Sequence, residues 1–239
     1  MSKNGSSFNQ GAFNKYVMEH NIVGFEETKL SSGRISPYYI DWKFIMGEAY
    51  TLSELVNQYL IPFVKSKDLN PKSFIGVIEG SGNLGSIATY EWAKRQPDYE
   101  KISYPIIVRR SKPKDDHGNP KYRDYVFGDP KNGSVVIEDT TTTAGSVMEE
   151  IKMAKKKGAK ILGCVTLTDR NERRDDGLSV QELFENEGIP YYPMSNALNL
   201  VPLQLSFTQK MNDEDLKVSI REYFGKYGTS KIDLEKYLK

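Results

Sequence analysis

The sequence predicts an α/β protein: a central, mostly parallel sheet flanked by helices, with a small hood formed by residues 1–45. Three observations carry this. Four apolar runs, at 73–78, 104–108, 134–139 and 161–168, are continuous rather than alternating, which suits strands buried on both faces. Helical patterns follow over 84–95, 146–157 and 180–187, and such alternation implies right-handed crossovers between parallel strands. The segments that leave the first and third runs are rich in glycine or threonine, at the strand ends where parallel sheets bind ligands.

Taken in order, residues 7–21 predict a short amphipathic helix, and 25–30 and 36–42 two strands joined by the turn Ser31-Ser32-Gly33-Arg34. A longer helix is expected over 48–65, where Leu52, Leu55, Val56, Tyr59 and Leu60 fall at near-helical spacing. The α/β core then occupies 46–203, closing on the short run 189–194. Residues 204–239 form a C-terminal extension, read as one or two amphipathic helices over 213–228 and 232–239.

Bulk composition narrows the function classes. The 239 residues carry a formal net charge of +1, which argues against a general nucleic-acid binder. The single cysteine, Cys164, lies in an apolar run and reads as a core thiol, so neither a disulfide framework nor a zinc site is expected. The N-terminus lacks a signal-like apolar stretch, and no window approaches the roughly 18 apolar residues needed to cross a bilayer. A soluble, reduced, cytoplasmic protein is the expectation.

The segment 134–146, SVVIEDTTTTAGS, carries the chemistry. Its apolar strand stops at Glu138 and Asp139, placed to accept hydrogen bonds from a ribose diol at the carboxyl end of the sheet. The loop then offers backbone N–H groups and hydroxyls from Thr142 and Thr143. Ala144 and Gly145 allow close approach, and Ser146 sits near a helix start that favours an anion. The alternative is that the acids only cap the helix and the threonines form a polar turn. No Gly-Lys-Ser/Thr follows, so this is not a nucleoside-triphosphate loop.

That pattern resembles the phosphoribosyl pyrophosphate (PRPP) motif of type I phosphoribosyltransferases, and implies their fold. The resemblance implies that Glu138 and Asp139 meet the ribose hydroxyls, with Asp139 also catalytic, while Thr142, Thr143, Ala144, Gly145 and Ser146 hold the 5′-phosphate. Two further segments resemble orotate phosphoribosyltransferases: 29–41, KLSSGRISPYYID, similar to their hood motif, and 168–172, TDRNE, similar to their Asp-Arg-x-Glu segment. Orotate contacts are thereby implied at Arg170, Thr142, Arg34, Lys29 and Tyr39, a guanidinium suiting the base's carboxylate. Where many members carry a lysine before the Ser-Gly pair, this chain has Ser31, and Lys29 or Arg34 is left to supply the charge. Considered alone, the SSGR turn also reads as a plain hairpin and Arg170 as a surface ion-pair partner.

The loop after the first strand, with Glu79, Gly80, Ser81 and Gly82, resembles the family's pyrophosphate cradle, although such turns also arise from packing alone. The basic interval 109–121 reads either as a solvated loop or as a lid over the leaving group. Its candidates are Arg109, Arg110, Lys112, Lys114 and His117, with His117 the suited general acid. The implied reaction transfers ribose 5-phosphate from PRPP to orotate, with Mg²⁺ held mainly through PRPP and water, in a homodimer. Rival readings are a phosphoribosyltransferase for another base and a PRPP-sensing regulator without catalysis.

Overall fold

The computed structural model describes residues 7–112, 123–130 and 132–237. The hood begins with α1 (Gln10–Glu19), whose first turn is capped by the Asn9 side chain accepting from the Ala12 N–H. Four two-residue strands follow, β1 (Val23–Gly24), β2 (Thr28–Lys29), β3 (Ile35–Ser36) and β4 (Tyr39–Ile40), in two antiparallel ribbons that pair β1 with β4 and β2 with β3. The turn between β2 and β3 closes through Gly33 N–H on Leu30 O at 2.8 Å, with Gly33 at φ 82°, so the expected hairpin is present in a shorter form.

A helical stretch leads into the core: α2 (Lys43–Gly47), α3 (Ala49–Glu54), a π-helical turn (Leu55–Leu60) and α4 (Ile61–Ser66). Next come β5 (Ser73–Gly76), α5 (Gly82–Ala93) and a ribbon of β6 (Val108–Arg109) antiparallel to β7 (Tyr125–Phe127). The chain continues through β8 (Gly133–Thr141), α6 (Gly145–Lys156), β9 (Lys160–Asp169), α7 (Val180–Asn186), β10 (Tyr191–Pro193), α8 (Ala197–Phe207) and α9 (Glu214–Tyr227).

Four of these strands make the central sheet, in the order β10-β9-β8-β5, and every pairing is parallel. Both faces are covered. Val135 and Ile137 of β8 face a core cluster with the hood, α5 and α8, while Val136 faces a second cluster with Val147, Ile151 and Phe184. Adjacent strand residues thus enter opposite cores, which is why the runs are continuously apolar. Cys164 of β9 lies fully buried in the second cluster, where burial raises its thiol pKa.

The run at 104–108 departs from expectation. Residues 104–107 join no strand, and Val108 pairs outside the central sheet, in the β6–β7 ribbon. Pro105 has no N–H to donate to a ladder, and Ile106 is 40% exposed, so this run lacks the two-sided burial of the others.

The C-terminal segments also sharpen. No helix was expected over α8, yet it forms around Pro202 in its interior, with Leu200, Val201 and Leu205 fully buried. The second expected tail helix does not form among the described residues. Residues 234–237 are turns, and Ile232 and Leu234 plug the core. No helix among the described residues is long and apolar enough to cross a membrane.

Candidate functional site

The loops leaving β5 and β8 meet at the carboxyl end of the sheet. β5 and β8 are adjacent and in register from Ser73 opposite Ser134 to Gly76 opposite Ile137, so β5 ends just before the two acids. β8 does not stop at them as expected but runs on to Thr141, paired with β9. The chain turns sharply after β5: a Cβ on Gly76 would lie 2.0 Å from Ser81 O, a backbone contact that only glycine permits. The turn brings Gly80 against the acids. A Cβ there would meet Asp139 Oδ1 at 2.9 Å and Glu138 Oε1 at 3.1 Å. Each loop also holds one non-glycine residue in the left-handed region, Glu79 at φ 69° and Ala144 at φ 60°. Such residues cost about 1–2 kcal/mol each and collect at functional sites.

Ala144 decides between the two readings of the threonine loop. It is the N-cap residue of α6 and makes no side-chain cap hydrogen bond, so neither the acids nor the threonines cap this helix. The first N–H groups of a 12-residue helix therefore face the loop with the positive dipole end behind them. In front lies a cleft of about 250 Å³ lined by Glu138, the stretch from Thr140 to Ser146, and Ser31 and Ser32 of the hood turn. Thr142, Thr143, Ala144, Gly145 and Ser146 thus surround one space, with Glu138 at its edge. Thr140 and Thr141 of the same segment line it too, as do Ser31, the hood position where many family members carry a lysine, and Ser32 of the turn. Arg174, which the sequence did not single out, donates from Nη1 to Thr143 O and braces the loop.

The two acids differ in environment. Glu138 is 6% exposed, and burial together with the neighbouring Asp139 charge pushes its carboxyl pKa well up. Asp139 is half-buried, with Oδ1 accepting from Thr140 N–H at 2.7 Å. Glu138 is thus the desolvated member of the pair, and Asp139 the member nearer the open side. Their oxygens flank the Gly80 backbone in a gap that a methyl group would fill. Gly80→Ala should therefore lower kcat/KM for the sugar-phosphate substrate by at least about tenfold, with little change in melting temperature. Steady-state kinetics and thermal denaturation would check this.

Other expected contacts are placed differently. The Ser81 hydroxyl is fully buried, donating to Ile137 O at 2.7 Å and accepting from Val77 N–H at 2.9 Å, so it ties the loop to β8. Glu79 and Gly82 are exposed on the same turn. Lys29 is exposed on β2 and Tyr39 half-buried on β4, and neither lines the cleft. Arg34 and Arg170 converge on one shared acceptor, and Arg34 also lines, with Tyr223 and Tyr227, a separate cleft of about 570 Å³. Glu172, fully buried, accepts from Arg34 Nη1 at 2.8 Å and from Arg170 Nε at 2.7 Å. Arg34 Nη2 also donates to Asp175 and to Arg173 O. The Arg170 guanidinium lies 4.1 Å from the Tyr38 ring centroid and donates to Ser36 Oγ at 2.8 Å. Its backbone N–H donates to Thr141 O at 2.9 Å, which joins this cluster to the wall of the cleft.

At the start of the basic interval, Arg109 is held to α6. Its Nη1 and Nη2 each donate to Glu149 Oε1 at 3.2 Å, and Nε pairs with Glu150 at 2.7 Å. Arg110 donates its backbone N–H to Asp124 O at 2.8 Å, and Lys112 is exposed. Lys114 and His117 lie outside the described residues. Burial pushes the Glu150 carboxyl up to about 7 despite the opposing Arg109 charge. A carboxyl raised from 4.5 binds its proton more tightly in the folded state, so its stability contribution is full below pH 4.5 and is lost as pH rises through about 7. Asp169, raised by burial to about 6, adds to the same slope. In Glu150→Gln the decline of melting temperature across that window should be shallower than in the parent chain.

No family model matches the chain. Among solved structures, the orotate phosphoribosyltransferase of Francisella tularensis superposes with a TM-score of 0.65 at 21% identity, covering 91% of this chain and all of that one. The Mycobacterium tuberculosis orotate phosphoribosyltransferase in complex with PRPP gives 0.53 at 19% identity, covering 80% and 98%. An adenine phosphoribosyltransferase from Leishmania donovani gives 0.51 at 12% identity, covering 82% and 86%. These likenesses establish the type I phosphoribosyltransferase fold, which serves purine and pyrimidine enzymes alike. Sequence relatives separate the two. The Acinetobacter baylyi orotate phosphoribosyltransferase is 26% identical over 226 residues, 93% of this chain and 98% of that one. The Rhodopseudomonas palustris (strain TIE-1) enzyme of the same name is 31% identical over 194 residues, 77% of this chain and 94% of its own length. With 31% identity over nearly the whole of that relative, the chain belongs to the orotate phosphoribosyltransferase family.

Proposed function

We propose that the chain transfers the ribose 5-phosphate group of PRPP to a ring nitrogen of orotate, giving orotidine 5′-phosphate and pyrophosphate in pyrimidine nucleotide biosynthesis. The observation that carries this is the uncapped start of α6, which opens onto the cleft that Glu138 borders. Phosphate at the 5′ position takes the N–H groups and hydroxyls of Thr142, Thr143, Gly145 and Ser146. The ribose diol takes Asp139 and Glu138, whose carboxyl oxygens accept from its hydroxyls. Pyrophosphate then lies toward Glu79, Gly80 and Gly82, with Arg109, Arg110, Lys112, Lys114 and His117 as its cationic partners. The bond from the anomeric carbon to the pyrophosphate oxygen breaks, and a bond to orotate's ring nitrogen forms as that nitrogen gives up its proton. Charge grows on the leaving group and on the ribose ring, so positioned charges and exclusion of water carry the catalysis.

Oxygen-rich surroundings suit Mg²⁺, with the oxygens of Asp139 and Glu138 together around Gly80. PRPP's own oxygens and water would hold the ion, with those acids as partners to that water. It would neutralise phosphate charge there. Arg170, adjoining the cleft through Thr141, is assigned to orotate's carboxylate, with Arg34 beside it and Lys29 and Tyr39 at the hood edge. A homodimer in the cytoplasm completes the reading.

Incubation with PRPP, Mg²⁺ and orotate, followed by the loss of orotate absorbance, tests it. Turnover is expected. Binding of PRPP without turnover would favour a sensor, and turnover with a purine but not with orotate would remove the base assignment.

A further inference from the structure

The C-terminal helix α9 closes onto the same arginine cluster. Tyr223 donates from its hydroxyl to Glu172 Oε1 at 2.9 Å, the same oxygen that accepts from Arg170 Nε at 2.7 Å. With Arg34 on Oε2 at 2.8 Å, the Glu172 carboxylate has three donors from three separate parts of the chain. The Tyr223 ring also meets Tyr38 edge-on with centroids 5.8 Å apart, and Tyr38 lies beneath the Arg170 guanidinium. Phe224 stacks on the other side of this arrangement, 5.8 Å from Tyr38 at an interplanar angle of 7°.

The backbone fixes α9 in this place. Glu172 and Gly228 form an antiparallel bridge, Arg173 N–H donates to Tyr227 O at 2.7 Å, and Thr229 N–H donates to Asn171 O at 2.8 Å. A Cβ on Gly228 would lie 2.6 Å from Phe224 O, so the strand-like exit from α9 is built for this close approach. The helix is thus sewn to the segment that carries Arg170 and Glu172. Such stitching places the Tyr223 hydroxyl with little freedom.

We propose that Tyr223 is a positioning residue for the base: it fixes Glu172, and Glu172 in turn fixes the direction of Arg170. This rests on the assignment of Arg170 to orotate's carboxylate. One carboxylate oxygen divides its acceptor capacity between Tyr223 and Arg170. Loss of the hydroxyl lets Glu172 rotate toward the remaining donors and carries Arg170 away from its set orientation. A bidentate guanidinium contact is sensitive to small misplacements, so the effect falls on orotate and not on PRPP. The C-terminal extension is then part of the base-recognition machinery, although it touches no residue of the phosphate cleft.

Tyr223→Phe retains the ring contacts and removes only the hydroxyl. KM for orotate should rise about five- to tenfold, the size expected for one ordinary hydrogen bond felt through Glu172, with kcat and KM for PRPP within about twofold of the parent. An unchanged orotate KM would overturn the proposal even if the melting temperature fell, and so would equal rises in both KM values. Arg170→Lys, which keeps the buried charge, is measured in parallel. If Arg170→Lys leaves orotate KM unchanged, the base assignment fails and takes the role of Tyr223 with it. If Arg170→Lys raises orotate KM while Tyr223→Phe does not, the inference about Tyr223 fails alone.

Discussion

Arg170→Ala lowers kcat/KM for orotate by about 100-fold or more while PRPP affinity changes only a few-fold; the loss falls on one substrate. The guanidinium is 1% exposed and shares the Glu172 carboxylate with Arg34. Truncating one member of a buried, hydrogen-bonded charge pair costs about 2–5 kcal/mol at an interface, and each 1.4 kcal/mol is a factor of ten. The same truncation strips Glu172 of its shortest contact and empties the space over the Tyr38 ring, so stability should fall by about 3–5 kcal/mol. Separate titrations with orotate and PRPP, made well below the variant's melting temperature, distinguish the two losses. Equal weakening of both substrates would mean that the arginine supports the fold and not the base.

Asp139→Asn gives the opposite combination. Glu138 and Asp139 repel each other, and the Asp139 charge is one cause of the raised Glu138 pKa. Replacing Asp139 with a neutral amide relieves that repulsion, so the variant should melt at the same temperature or higher. Activity should nonetheless fall by about 100- to 1000-fold in kcat/KM for PRPP, because a preorganised charge beside the sugar is lost. A stable but inactive variant marks a group kept for chemistry at a cost in stability. A variant that is both destabilised and fully active would place Asp139 in the scaffold.

Several features were legible because their signal is local. The runs in β5, β8 and β9 hold consecutive buried residues, with apolar centres such as Val135-Val136-Ile137, because both faces of the sheet are covered. The loop from Thr140 to Ser146 was readable because phosphate binding by backbone N–H groups needs small residues next to one another in the chain. The run at 104–108 misled because apolar composition does not report whether a strand has a partner on the sheet, and Pro105 weakened the ladder there. In α8, Pro202 sat in a helix whose burial outweighed its breaker signal.

What the sequence by itself determined is the chemistry of the sugar-phosphate half: a strand, two acids, a small-residue loop and a helix start, all within one continuous segment. It also carried the resemblance that placed Arg170 with a carboxylated base. Only the tertiary structure decided how that half is used. The Ser31–Ser32 turn is brought to the cleft across more than 100 residues of chain, and Arg34 meets Glu172 across a separation of 138. Tyr223 reaches the same carboxylate from a helix with no motif of its own. Burial separates the desolvated Glu138 from the half-buried Asp139, a distinction that two adjacent acids do not contain. The physical reason is common to all four. Spacing along the chain encodes backbone conformation, whereas desolvation and shared hydrogen-bond acceptors exist only once distant segments are packed together.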